Sequence, residues 1–267
     1  MKRIAICADD FGAFPGGDAG ILRLVSAGRL GGVSCQVVGQ TFARAAPALR
    51  ERLGAVDAGV HLDLGSGRGP LAALILQSHA RLLDRRAVTA RISAQLDAFE
   101  RALGAPAFVD GHQHVHQLPV VRDALLELLA ARYGRPGPLV RNTVSLRGGG
   151  MKPFLVAALG GRGLRSRMRA RAVRHNADFA GLYGLDPGAG YAALFRGWLA
   201  TATDRTLILC HPGAASDDPG DPHGPARAAE LSYLASQEHE QDCLAAGVVR
   251  VRVSALADDG GAVASRG

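Results

Sequence analysis

Asp9 and Asp10 end the apolar run Ile4–Ala8 and are followed by Phe11 and Gly12. Two adjacent carboxylates at the end of a buried strand repel each other and lose solvation. A metal ion relieves both problems; acid–base work, or a strand exit in which one Asp caps the next helix, are the other readings. His61 lies inside the alternating stretch Gly59–Leu64, where a histidine is either a ligand or a hydrogen-bonded core residue. The densest cluster is Asp110-Gly111-His112-Gln113-His114-Val115-His116. Alternation in an extended chain predicts Asp110, His112, His114 and His116 on one side, ~6–7 Å apart. Four polar groups on one face are costly in an apolar core, so the cluster reads as a metal site. One or two of these groups would bind, and the others would orient ligands or hold substrate. His211 follows Leu207–Cys210 and precedes Pro212-Gly213. That position suits general acid–base chemistry, or a turn histidine bonded to backbone.

These residues need elements that bring them together. Short apolar runs predict strands at Arg3–Ala8, Val33–Val38, Ala58–Leu64, Ala107–Asp110, Leu139–Arg141, Thr206–Cys210 and Val248–Val253. Helical patterns lie between them, near Gly17–Ala27, Phe42–Glu51, Thr89–Leu103, Pro119–Arg132, Tyr191–Ala200 and Ala226–Ala245. Such alternation implies a parallel sheet. About seven strands in 267 residues predict an α/β fold, a single-domain irregular (β/α) barrel spanning 1–267. In parallel architectures reactive groups collect where strands end, and the Asp and His residues fall at predicted strand ends repeatedly.

The ordered set ADDFG at 8–12, the histidine strand at 59–64, DGHQHVH at 110–116 and CHPG at 210–213 resembles the YdjC-type carbohydrate deacetylases. That family includes chitooligosaccharide deacetylases and hopanoid-biosynthesis-associated relatives. The Gly-His-Gln-His variant and the segment Phe179–Tyr183 are similar to the latter branch. The resemblance spans residue 3 to about 250. It implies a barrel-like fold, a divalent cation held by Asp10, His61 and His112, Asp9 as base and His211 as acid. It points to magnesium, whereas two imidazoles favour zinc or another transition ion. The implied reaction is hydrolysis of an N-acetyl group on an acetamido sugar, carried by an oligosaccharide or a glycolipid. Metal-activated water attacks the amide. Homodimerisation rests on resemblance only.

Composition excludes several other classes. Hydrophobic content of 48% and charged content of 21% argue against disorder and collagen-like repeats. No stretch reaches the ~18 apolar residues of a membrane span. The apolar run before Asp9 is too short for a signal-peptide core. Cys7, Cys35, Cys210 and Cys243 have no CxxC spacing, which predicts reduced thiols and a cytoplasmic protein.

The net charge of +7 is local. Of 31 Lys+Arg, nine lie between Arg141 and Arg174 with no acidic residue, so the remaining 22 face 24 Asp+Glu. This predicts a basic insertion at about 142–178 on a near-neutral barrel, and no nucleic-acid partner, since aromatic interleaving is absent. Arginines stand at 162, 165, 167, 169, 171 and 174, with Leu164, Met168 and Ala172 recurring every four residues and Val173 beside them. The pattern is a basic amphipathic helix, preceded by the glycines at 148–150 and 160–161. It docks its narrow apolar face on the barrel, or it contacts an anionic lipid or membrane surface.

Two other functions compete. An amidohydrolase-type metal hydrolase also draws ligands from an HxH strand, but expects it near the start of the barrel together with a metal-bridging lysine. Here HxH lies mid-chain and Lys152 is the only internal lysine. A binding module using Arg162–Arg174 accounts for the charge but leaves the Asp/His cluster idle.

Overall fold

The computed structural model describes all residues except 66–70, 148, 215–220, 222 and 258–267. In chain order the elements are β1 (Lys2–Phe11), α1 (Pro15–Ser26), β2 (Gly32–Cys35), α2 (Phe42–Arg50), β3 (Asp57–Leu62), α3 (Leu71–His79), α4 (Arg85–Leu103), β4 (Phe108–Gly111), α5 (Pro119–Tyr133), β5 (Leu139–Val140), α6 (Met151–Val156), α7 (Arg162–Ala170), β6 (Asp178–Ala180), α8 (Tyr191–Thr201), β7 (Thr206–Cys210), α9 (Gly224–Ala235), α10 (Gln237–Ala245) and β8 (Val248–Arg250). Strand order is β5-β4-β3-β2-β1-β7-β6, with β8 also on β1, and every pairing is parallel. The strands are apolar runs covered by helices, so Ile4, Ile6, Val33, Val60, Val109 and Ile208 are fully buried.

The curled sheet is a barrel left partly open. No ladder joins β5 to β6 among the described residues. Instead the Val140 N–H donates to the Arg174 carbonyl (2.8 Å), the Asn142 N–H to Asn176 Oδ1 (2.8 Å) and Asn176 Nδ2 back to the Asn142 carbonyl (2.9 Å). No helix among the described residues is long and apolar enough to cross a membrane.

The predicted strands all form, with ends shifted by a few residues. Three elements go unforeseen: β6 has three residues, too few to display an alternation, α6 has six, and α3 is apolar over its first six residues without a helical stripe. The predicted helix 226–245 is two helices, broken where Ser236 turns extended and caps the second through the His239 N–H. The basic helix exists as α7. Leu164 and Met168 are buried, as the docked reading expects, while Ala172 lies beyond the helix with φ 49°. The glycine at 148 lies outside the described residues.

Candidate active site

Parallel strands point one way, so their C-terminal ends share one face of the sheet. Asp9 and Asp10 sit at the end of β1, Ser34 in β2, His61 in β3, Asp110 in β4, Arg141 one residue past β5 and His211 one residue past β7. A cavity of about 520 Å³ opens there, lined among others by Asp9, Asp10, His61, His112 and His211.

Local backbone explains how neighbours come to face that cavity. A regular strand sends Asp9 and Asp10 to opposite sides. Between Ala8, opposite Val33, and Phe11, opposite Cys35, β1 carries one extra residue, and Asp10 has φ 66°. This bulge turns both carboxylates inward.

The extended histidine ladder expected over 110–116 does not form. β4 ends at Gly111, and His112–Gln117 wind into a tight turn with Gln113 and His114 at φ 49° and 61°. A Cβ at Gly111 would lie 3.0 Å from the His116 backbone nitrogen, so the turn requires glycine there. The turn separates the histidines. His112 reaches Asp10, whereas the His116 Nε2–H donates to the Arg141 carbonyl (3.1 Å) and His114 packs edge-on against Phe179. His114 and His116 therefore support the site, and burial pushes the His116 imidazole down to about 4.

Asp10, His61 and His112 offer one ligand atom each within 4.8 Å of one another. His61 Nε2 is 3.5 Å and His112 Nδ1 3.1 Å from Asp10 Oδ1. The other His61 nitrogen, Nδ1, donates to Asp110 Oδ1 (2.7 Å), which also accepts from the Ser34 hydroxyl (2.5 Å). A carboxylate behind the imidazole fixes its tautomer and leaves Nε2 facing the cluster, the arrangement metal-ligating histidines use. Burial alone would push His61 down, but Asp110, Asp9 and Asp10 outweigh it and hold the imidazole up at about 10. The Asp10 carboxyl stays well below the carboxylate range despite burial, because His112, His61, His211 and Arg227 surround it. Such a spot prefers positive charge. Two imidazoles and a carboxylate fit a divalent cation, and suit zinc or another transition ion.

A second group, Cys7, Asp9 and Asp110, is equally close but already holds a cation. The guanidinium of Arg141, fully buried, donates to both Asp9 oxygens (2.6 Å each) and to Cys7 Sγ (3.2 Å), and forms an ion pair with Asp110 Oδ2 at 2.5 Å. Against the desolvation of burial, Arg141 holds the Asp9 carboxyl at about 2. His211 has its backbone N–H on Glu230 Oε2 (2.5 Å) and a buried Nδ1 with no hydrogen-bond partner among the described residues. Burial pushes its imidazole down to about 4.

Several site residues escape a sequence reading. Arg141 is counted there as the first member of a basic segment, yet lies at the centre of the site. Arg227 bonds Asp10 Oδ2 (2.8 Å) and Asp221 (3.1 Å). Glu230 accepts from Tyr183 (2.6 Å), and burial pushes its carboxyl up to about 7. Only Arg141 carries a signal, its place just past a strand.

Residues 3–245 match the family described as YdjC-like protein. A carbohydrate deacetylase of Homo sapiens is 37% identical over 152 residues, covering 49% of this chain and 46% of that protein. One of Mus musculus is 36% identical over 152 residues, covering 49% and 48%. The chain thus spans about half the length of the curated relatives it matches. Among solved structures, an Enterococcus faecalis protein named for cellobiose-phosphate cleavage superposes with TM-score 0.71 at 20% identity, over 96% of this chain and 99% of that one. That likeness is one of fold.

Proposed function

The chain belongs to the YdjC-like protein family, and from that premise we propose that it is a metal-dependent carbohydrate N-deacetylase, hydrolysing the acetamide of an amino sugar. The observation that carries the reading is the convergence of Asp10, His61 and His112 with Asp9 and His211 on one cavity. The names of the human and mouse relatives support the substrate class.

In this reading Asp10, His61 and His112 would hold the cation, which would supply Lewis acidity to acidify water and polarise the amide carbonyl. Asp9 accepts the proton of the attacking water. Its pairing with Arg141 keeps it ionised and aimed, at the cost of weaker basicity. His211 rests neutral. As negative charge grows on the substrate oxygen the basicity of His211 rises and it takes a proton from solvent. It gives that proton to the departing nitrogen, because an amide anion is too poor a leaving group, and Asp9 returns to solvent the proton it took from the attacking water. Asp110 and Ser34 lock the His61 ring, and Glu230 anchors the backbone of His211.

The test is acetate release by metal-loaded protein from free, nucleotide-linked and lipid-linked N-acetyl sugars. Release from at least one class, abolished by chelation and restored by a divalent ion, is expected. No release from any class, with metal bound, overturns the reading.

A further inference from the structure

A helix on a water-facing surface buries its apolar stripe and exposes its polar side. α6 leaves its apolar side uncovered. Met151, Phe154 and Leu155, spaced i, i+3 and i+4 and so on one face, are 75%, 55% and 46% exposed, and α6 buries no residue. The segment stands at the mouth of the active-site cavity, whose wall includes Val156 at its end and Leu159 from its continuation. Across the mouth, His79 Nε2 donates to the Leu159 carbonyl (2.9 Å). Leu76, one turn before His79 on the same face of α3, is 70% exposed.

The charge around this face has one sign. Arg147 precedes it and is exposed, and the Arg162 guanidinium lies over the Phe154 ring at 5.5 Å, so cation and apolar surface belong to one patch. The arginines of α7 divide into two sets. Arg167 pairs with Asp123 and Arg171 lies 4.0 Å from Glu127, whereas Arg162 and Arg169 form no ion pair with an acid among the described residues. Among the described residues the face therefore combines bulky apolar side chains with unneutralised arginines, on a segment, 141–174, whose sequence has no acidic residue, the composition that inserts at a lipid headgroup boundary.

We propose that the α6 face with Arg147 and Arg162 docks on an anionic lipid bilayer, holding the mouth of the cavity at the membrane surface. Contact is peripheral: Met151, Phe154 and Leu155 enter the headgroup boundary and the arginines meet anionic phosphates. The docking stands independently of the chemistry in the cavity.

The test is co-sedimentation of the full chain with phosphatidylcholine vesicles, with and without 30% phosphatidylglycerol. Binding to the anionic vesicles at least tenfold tighter than to the neutral ones is expected. F154S/L155S should weaken it tenfold or more, and R147Q and R162Q about fivefold each, with unchanged circular dichroism and unchanged acetate release from a free N-acetyl sugar. Equal binding to both vesicle types overturns the proposal, as does a dimer in light scattering that F154S/L155S dissociates while vesicle binding is unaffected. Anionic-vesicle binding without any acetate release would remove the deacetylase reading and leave the docking intact.

Discussion

The two ends of the β1–β7 pair each carry a bidentate arginine–carboxylate bond, and the two bonds have opposite consequences. At the N-terminal end Arg3 grips Asp204 at 2.7 Å, with the side chains 46% and 48% exposed. At the C-terminal end Arg141 grips Asp9 at 2.6 Å, with the side chains 0% and 3% exposed. Both carboxyls are held at about 2, Asp204 chiefly by its bonds from Arg3 and Asp9 by Arg141 against the full desolvation of burial. Equal pKa values therefore conceal different energetics. Water would solvate either Arg3 or Asp204 if its partner left. Asp9 is only 2% exposed where it lines the cavity, Arg141 behind it is fully buried, and Asp110 shares the same guanidinium. In a parallel barrel the first end stabilises and the second reacts.

The largest effect should follow from cutting the buried pair. R141M leaves Asp9 and Asp110 without a counter-charge, and should cost about 3–5 kcal/mol in urea denaturation together with loss of acetate release. R3M should cost below about 1 kcal/mol and leave turnover unchanged. R141K should fall between, because a single ammonium cannot span both oxygens of Asp9 and one of Asp110. Equal losses for R141M and R3M would erase the distinction between the two ends.

Next in size is a split between charge and chemistry at the reactive end. D9N keeps the shape of the carboxylate and does not touch Asp10, so metal content should persist while activity falls about 10²–10⁴-fold. H61A should lose both, since it removes a ligand and the partner of Asp110. D204N should change neither. Metal analysis after dialysis and a turnover assay separate the three, and full turnover by D9N would overturn the role of Asp9.

The reactive end was legible in the sequence where residue type is informative. The Asp9–Asp10 pair, His61 and the 110–116 cluster stand out because carboxylates and imidazoles are rare at the ends of apolar runs. The choice of Asp10, His61 and His112 among them came from the family resemblance, and the structure brings these three together. The backbone around them was not legible. The bulge at Asp9–Asp10 and the turn at Gln113–His114 depend on tertiary contacts, such as that of Gly111 with His116, which alternation does not encode. Arg141 was hidden for another reason. In a chain with 31 Lys+Arg, one more arginine at the head of a basic run reads as surface charge. Its placement past β5, like His211 past β7, was the usable clue. Helix α7 shows the complementary case: its period of four was readable, and Leu164 and Met168 are buried as that period requires.

The smallest predicted effect tests the exposed pair by salt and acid. A carboxyl whose folded pKa is depressed adds stability above its ordinary value of 3.8, and that stability is lost as pH falls through about 2. For Asp204, nearly half exposed, solvent screening discounts the contribution to well under ~1 kcal/mol. In 1 M NaCl, where the Debye length is about 3 Å, its pKa should climb back toward 3.8, followed by carboxyl-carbon NMR with D204N for assignment. Asp9 in metal-stripped protein should follow far less, because its guanidinium partner is fully buried behind the cavity wall. A salt-insensitive Asp204, or an Asp9 that moves with it, would mean that burial does not separate the two ends as the geometry requires.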